Sequence, residues 1–360
     1  MLAVLPEAIW RGRAATHAER TSRLLAPGMM PPQKEGAGYR LSTEHPVTNF
    51  LEEYYRIRGA AGARRLSRFS PELPAGGGGT LLRGATADDI DTGTLSARGA
   101  SIVEDGVLYD AKAAHADASA ENATALLWHR LVLAATNDAE PVLHCYGLHE
   151  WAMQYQPEGA PPPPSARYQR HLKLRVDQAT INAAVERRGV SCTHVDALRF
   201  FAPAAAPLNH HGTTLRREQQ AELEQPGCVH AHMDLLKMAL RLQPWLACEL
   251  VGDCLEVALD ARTLDVAASP YDCTAYGIEP VPIERALGRK IYIERQQQLM
   301  ERARPVRRAL LEAYDAFLLE AYDEASLARA ASNPSPERFA TATPGGAPWR
   351  RSLYEPAKVK

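Results

Sequence analysis

Apolar positions spaced three and four apart recur over most of the chain, and that spacing predicts helices. A first helix is expected over Pro6 to Leu25, with Trp10, Ala14, His17 and Leu24 punctuating a polar sequence. A second is expected from an N-cap at Thr43, with Pro46 in its first turn. It pairs Phe50 with Tyr54 and Leu51 with Tyr55 on one face. Residues 118–135 predict a helix with Leu126, Leu127, Leu131 and Val132 inward, and a short buried helix follows Gly147. Asp177 is read as the cap of a helix reaching Arg188. Further helices are expected from near Gly227, over Pro244 to Leu264, and over Glu284 to Tyr322, the last broken near Pro305. Residues 70–115 differ: a glycine run, Gly76 to Gly79, precedes short alternating stretches at Thr80–Leu82 and Ala100–Tyr109. They predict a loop-and-hairpin insert. The fold class is therefore mainly α, a helical bundle-like single domain with a small irregular or β insert. Residues 1–38 form an N-terminal helix and linker, 39–325 the helical domain carrying the chemistry, and 326–360 a tail with little order.

Composition narrows the classes. The chain has 360 residues and a formal charge of −2, so there is no overall basic field for a polyanion. Its six cysteines (Cys145, Cys192, Cys228, Cys248, Cys254 and Cys273) contain no C-x-x-C pair. They read as reduced, mostly buried thiols of a cytoplasmic protein. No apolar run reaches the length of a membrane span, so no membrane partner is expected.

Eight of the twelve histidines fall between His144 and His232, which points to a site. His194 precedes Asp196 by two residues and His230 precedes Asp234 by four, the latter spacing placing both on one helical face. His149, Glu150 and Trp151 are consecutive, so His149 and Glu150 are expected to point about 100° apart and not to share one deep face. One of them then serves the site, with Trp151 as a stacking wall, or His149 is a hydrogen-bonded core histidine. Candidate metal ligands are His45, His149, His194, His230 and Asp234, a set suited to iron or zinc. The other possibility is that Asp196 and Asp234 cap helices or pair with Arg199 and Lys237. Glu249, Asp253, Glu256 and Asp260 form one stripe, read as a solvated face or as lining for a pocket. Three basic clusters (Arg64, Arg65 and Arg68; Arg167 to Arg175; Arg302, Arg304, Arg307 and Arg308) offer phosphate contacts or are solvated surface.

The strings HPVTNFLEEYY (from His45), HCYGLHEWAMQY (from His144), CTHVDALRFFAPAAAPLN (from Cys192), LEQPGCVHAHMDLLKMAL (from Leu223) and LDVAASPYD (from Leu264) carry a further signal. Together they resemble a family of mainly actinobacterial proteins named 3-methyladenine DNA glycosylase, distinct from the helix-hairpin-helix glycosylases. The resemblance runs from about His45 to Arg308, and the chain departs from the family pattern at Thr48, Asn49 and His232. It implies hydrolysis of the N-glycosidic bond of alkylated bases in DNA repair, with alkylated DNA as partner. Asp234 or Asp196 would then stabilise the sugar cation or activate water, oriented by His230 or His194, with Glu150 nearby. Tyr54, Tyr55, Trp151, Tyr155, Phe200 and Phe201 would stack on the extruded base, with Arg199 beside them. Two other readings fit the residues: a non-haem metal-dependent oxygenase or hydrolase acting on a small molecule, and a helical binding protein without catalysis.

Overall fold

A computed structural model describes residues 2–31, 39–115, 120–163 and 171–332. Its architecture is mainly α: among the described residues there are fourteen α-helices with a four-stranded and a two-stranded sheet, 55% helical. The bundle is built on two antiparallel helices, α11 (Val229–Leu242) and α12 (Cys248–Ala268), packed against each other. Leu235, Leu236, Ala239 and Leu242 of α11 and Val251, Leu255 and Ala258 of α12 are buried. Each buried Leu or Val contributes roughly 2 kcal/mol of apolar transfer free energy.

Preceding them in the chain are α1 (Glu7–Leu25), the short α2 (Asn49–Glu53), α3 (Gly59–Leu66), α4 (Ala87–Asp91) and α5 (Ala111–His115). Then come α6 (Ala120–Asp138), α7 (Leu148–Met153), α8 (Gln178–Glu186), α9 (Val195–Leu198) and α10 (Gln220–Leu223). The chain closes with α13 (Ala286–Ala321) and α14 (Glu324–Ser332). α13 lies along α12 and α6, α14 packs on α6, and α1 packs on α12.

Several boundaries differ from the periodicity reading. α12 begins four residues later than expected and runs on through Asp265, because Pro244 to Leu246 are spent on a turn in which the Trp245 amide donates to the Leu242 carbonyl. α13 is one helix across Pro305. Pro305 is exposed, so the carbonyl its ring frees faces water. Residues 326–332 are not a tail with little order but part of α14, with Leu327 and Ala330 buried, and residues 333–360 lie outside the described part. Part of the basic run from Arg167 also lies outside it.

The hairpin insert is present. β4 (Gly79–Arg83), β5 (Ala100–Val103) and β6 (Gly106–Asp110) pair antiparallel in the order β4-β6-β5, with Leu81 opposite Leu108. A strand not expected, β1 (Ala3–Leu5), joins β4 in parallel and ties the N-terminus into the sheet. Trp10 reinforces that tie by donating its indole N–H to the Arg83 carbonyl at 3.0 Å. The second sheet pairs β2 (Met29–Met30) with β3 (Arg40–Leu41). Gly106 turns the β5–β6 hairpin at φ +152, and a Cβ there would meet the Leu82 carbonyl oxygen at 2.0 Å. Among the described residues no helix is long and apolar enough to cross a membrane. Five of the six cysteines are buried and none is in a disulfide.

Candidate functional site

The helical spacing on α11 turns His230, Met233, Asp234 and Lys237 to one side, where they line a cavity of about 300 Å³. Glu150 comes from α7, His194 and Asp196 from the start of α9, and Phe50, Tyr54 and Tyr55 from α2 and its end. Arg199, Phe200 and Arg217 complete the wall nearest solvent, with Arg262 and Tyr271 behind. Residues far apart in sequence therefore meet, as expected for Asp234, His230, Asp196, His194, Glu150, Tyr54, Tyr55, Phe200 and Arg199.

Five predicted participants do not line the cavity: Trp151, His45, Tyr155, Phe201 and His149. Trp151 is fully buried in the core and donates its indole N–H to the Ala268 carbonyl at 2.8 Å, so it is not a stacking wall. His45 turns away: its Nδ1 accepts the Val47 amide at 3.3 Å and its ring edge meets Tyr276. That ring caps its own turn and belongs to neither donor set described below. Tyr155 donates to Glu186 and Phe201 is core, so neither lines the cavity. His232 faces the opposite side of α11, its Nδ1 2.9 Å from Arg307.

His149 and Glu150 are expected not to share one deep face, and they find different partners, His149 at Asp265 and Glu150 at Arg262 on the cavity wall. Both are buried, because α7 is a single turn flanked by α12 on one side and the cavity on the other. One turn of α12 receives them both. Arg262 NH1 lies 2.7 Å from Glu150 Oε1 and 2.5 Å from Asp265 Oδ2, and its Nε donates to the Pro46 carbonyl at 3.1 Å. The other oxygen of Asp265 lies 2.7 Å from His149 Nε2. These two atoms lack the alignment of a hydrogen bond, and each is buried without such a partner.

His230 completes a set with them: its donor atom and those of His149 and Asp265 all lie within 4.8 Å of one another. The His230 ring stands edge-on to His149 at 4.5 Å and stacks on His194 at 4.8 Å. Burial, reinforced by His149 and His194, pushes His230 well below the usual histidine range and keeps it neutral. Burial opposes ionisation of Asp265, yet His149 and Arg262 outweigh it and hold its carboxyl low. Against its burial, Asp265 and Glu150 raise His149 above the ordinary histidine value, so His230 is the neutral imidazole of the set, and a cation bound here would displace the His149 proton. The residues present fit a metal.

A second set, His194, Glu224 and Asp234, lies alongside with the same spread. His194 Nε2 is 3.4 Å from Asp234 Oδ2 and 3.5 Å from Glu224 Oε2. Its Nδ1 accepts the Asp196 amide as the cap of α9, which places the ring proton on Nε2. This set is a proton-holding group flanked by two carboxylates. Asp234 is further oriented by Tyr55, whose hydroxyl donates to Oδ1 at 3.1 Å. Despite burial, Lys237 and His194 hold Asp234 far below the usual carboxylate range.

Asp196 pairs with Arg217 at 2.6 Å, Arg199 at 3.5 Å and Lys237 at 3.9 Å, the ion-pair alternative to a catalytic role. The acidic stripe of α12 lies outside this cavity and does not stand free, with Asp260 lining a separate cleft beside Arg302. Glu249 meets Arg13, Asp253 and Glu256 meet Arg20, and Asp260 meets Arg302. Several residues of the basic clusters are likewise engaged within the chain: Arg65 donates to the Leu240 carbonyl, Arg175 to Glu284, and Arg307 is buried.

Sequence reasoning missed Glu224, Arg262 and Arg217 and placed Asp265 beyond its helix. Glu224 and Asp265 sit inside the motif strings from Leu223 and Leu264, which was the available signal. Fold and pocket define a helical protein with a buried histidine–carboxylate centre beneath an aromatic, cation-rimmed cavity. No family model matches the chain, and neither does a curated protein or a solved structure.

Proposed function

We propose that the chain is a metal-dependent enzyme acting on a small molecule, with iron(II) or zinc held by His149, His230 and Asp265. The observation that carries this reading is the His149–Asp265 pair: two buried donors 2.7 Å apart, not aligned as a hydrogen bond, with His230 closing the triad. Two imidazoles and one carboxylate suit non-haem iron(II), and three protein ligands with an open position suit catalytic zinc. Bound there, the ion supplies Lewis acidity, or oxygen chemistry if it is iron. The chain's own groups do the rest. Arg262 orients Asp265 and Glu150 from behind, as outer-shell partners of metal ligands do. His194 holds a proton at Nε2 between Glu224 and Asp234. Phe50, Tyr54, Tyr55 and Phe200 shield the organic part of a substrate from water.

The test is metal content. Protein expressed with iron and zinc supplied is expected to carry about one equivalent of one of them. His230→Ala and Asp265→Asn are each expected to lose most of it, because each removes one of only three protein ligands. Wild-type protein that stays metal-free ends the reading. A second reading, excision of alkylated bases, draws support from the resemblance and from five aromatic rings and an ionised Asp234 in one cavity. Metal-free protein that releases 3-methyladenine from alkylated DNA, and fails to do so as Asp234→Asn, would favour it.

A further inference from the structure

The cavity mouth carries more positive charge than its own acids balance. A single carboxylate, Asp196, holds three cations from three segments: Arg199 after α9, Arg217 before α10, and Lys237 on α11. Only the Arg217 contact, at 2.6 Å, is a charge-assisted hydrogen bond; those to Arg199 at 3.5 Å and Lys237 at 3.9 Å are beyond that range. Arg56 joins them on the wall from a backbone at φ +55, a left-handed conformation uncommon for a side chain of its kind. The second acid nearby, Asp234, is committed to Tyr55 and His194 as well as lying 3.8 Å from Lys237. Phe200 provides a flat surface at the same spot, with the Arg199 guanidinium 4.8 Å over its ring.

We infer that this mouth is a clamp for an oxyanion, and that the substrate is a small molecule bearing a carboxylate or a phosphate beside a planar apolar portion. Asp196 is then a positioning residue. It gathers the three cations without neutralising them, and the incoming anion takes the donors that Asp196 engages loosely. A fork of arginines with a lysine point charge is how proteins recognise such groups. The substrate class rests on reading the cavity as an active site, whereas anion binding itself requires no metal.

The experiment is calorimetric titration of the full chain, both as purified and after metal removal by chelation, with orthophosphate and with benzoate as probes. Saturable binding of at least one probe is expected, and which probe binds distinguishes phosphate from carboxylate. Arg199→Ala, which removes a donor that Asp196 engages loosely, is expected to weaken it tenfold or more, in line with loss of a charge-assisted pair. Lys237→Gln, a change at a partly exposed side chain, is expected to weaken it several-fold and guards against misfolding of the first variant. Arg302→Ala, on the far pair with Asp260, leaves it unchanged. Wild-type protein that binds neither probe, or variants that bind as wild type, would overturn the clamp. A single-stranded oligonucleotide that displaces both probes at lower concentration would overturn the small-molecule class. Metal bound without probe binding sinks the clamp alone, while probe binding by a metal-free, inactive protein leaves the clamp and sinks the enzyme reading.

Discussion

Arg262 is buried between the carboxylates of Glu150 and Asp265 and a backbone carbonyl, and with His149 it holds Asp265 ionised away from water. A buried charge left unpaired would be strongly unfavourable, so Arg262 and the two carboxylates stand or fall together. Trp151, one position along from Glu150, has a different task. Its ring fills the core behind the site and its N–H is spent on Ala268. Trp151→Ala is therefore expected to cost about 3–5 kcal/mol of stability, read as a lower denaturation midpoint. Probe binding by the fraction that remains folded is expected to match wild type; a selective loss of binding with unchanged stability would return Trp151 to the pocket wall. His230 and Asp234 were legible as a pair because helical geometry alone puts residues four apart on one face. Arg262 and Glu224 were not, because nothing within a few residues of either reveals what it meets across the fold.

The elements show the same division. Pro305 ends a helix in any local reading, yet α13 continues through it because its buried side chains, from Tyr292 to Leu318, hold both halves against α12 and α6. The local penalty remains in place, since proline costs a helix interior about 3 kcal/mol relative to alanine. Pro305→Ala is accordingly expected to raise stability by about 1–3 kcal/mol without altering the site. An unchanged or lower denaturation midpoint would show that the proline sits in a backbone alanine cannot improve. The hairpin of β5 and β6 was readable from its alternation. β1 was not: three residues carry no period, and their strand exists only because β4 offers an edge.

At the scale of the whole molecule, one continuous core runs from Trp10 to Ala330, joining sheet, bundle and both described ends. Burying histidines in it makes stability depend on pH. His129 is pushed down to about 3, first by burial and then by Lys237. His17, buried with Nε2 on the Leu66 carbonyl, is also pushed down by burial. Both stay neutral in the folded chain while the unfolded chain takes up protons near pH 6.5, so stability is present above that pH and lost as pH falls toward 3. The His129 ring keeps some surface, which makes its share at pH 4 at most about 3 kcal/mol. Urea midpoints measured from pH 7.5 to 4 are expected to fall, and to fall less in His129→Gln; a flat profile would refute it. The sequence by itself determined the helical class, the insert, and the i,i+4 pairing on α11, because these follow from short-range periodicity that every residue feels regardless of fold. Only the tertiary structure decided that His149, His230 and Asp265 converge, that Arg262 stands behind them, and that Asp196 gathers cations at the mouth. Apart from the i,i+3 pairs Asp196–Arg199 and Arg262–Asp265, those contacts join residues far apart in the chain, and their free energy depends on desolvation and approach that no local pattern encodes.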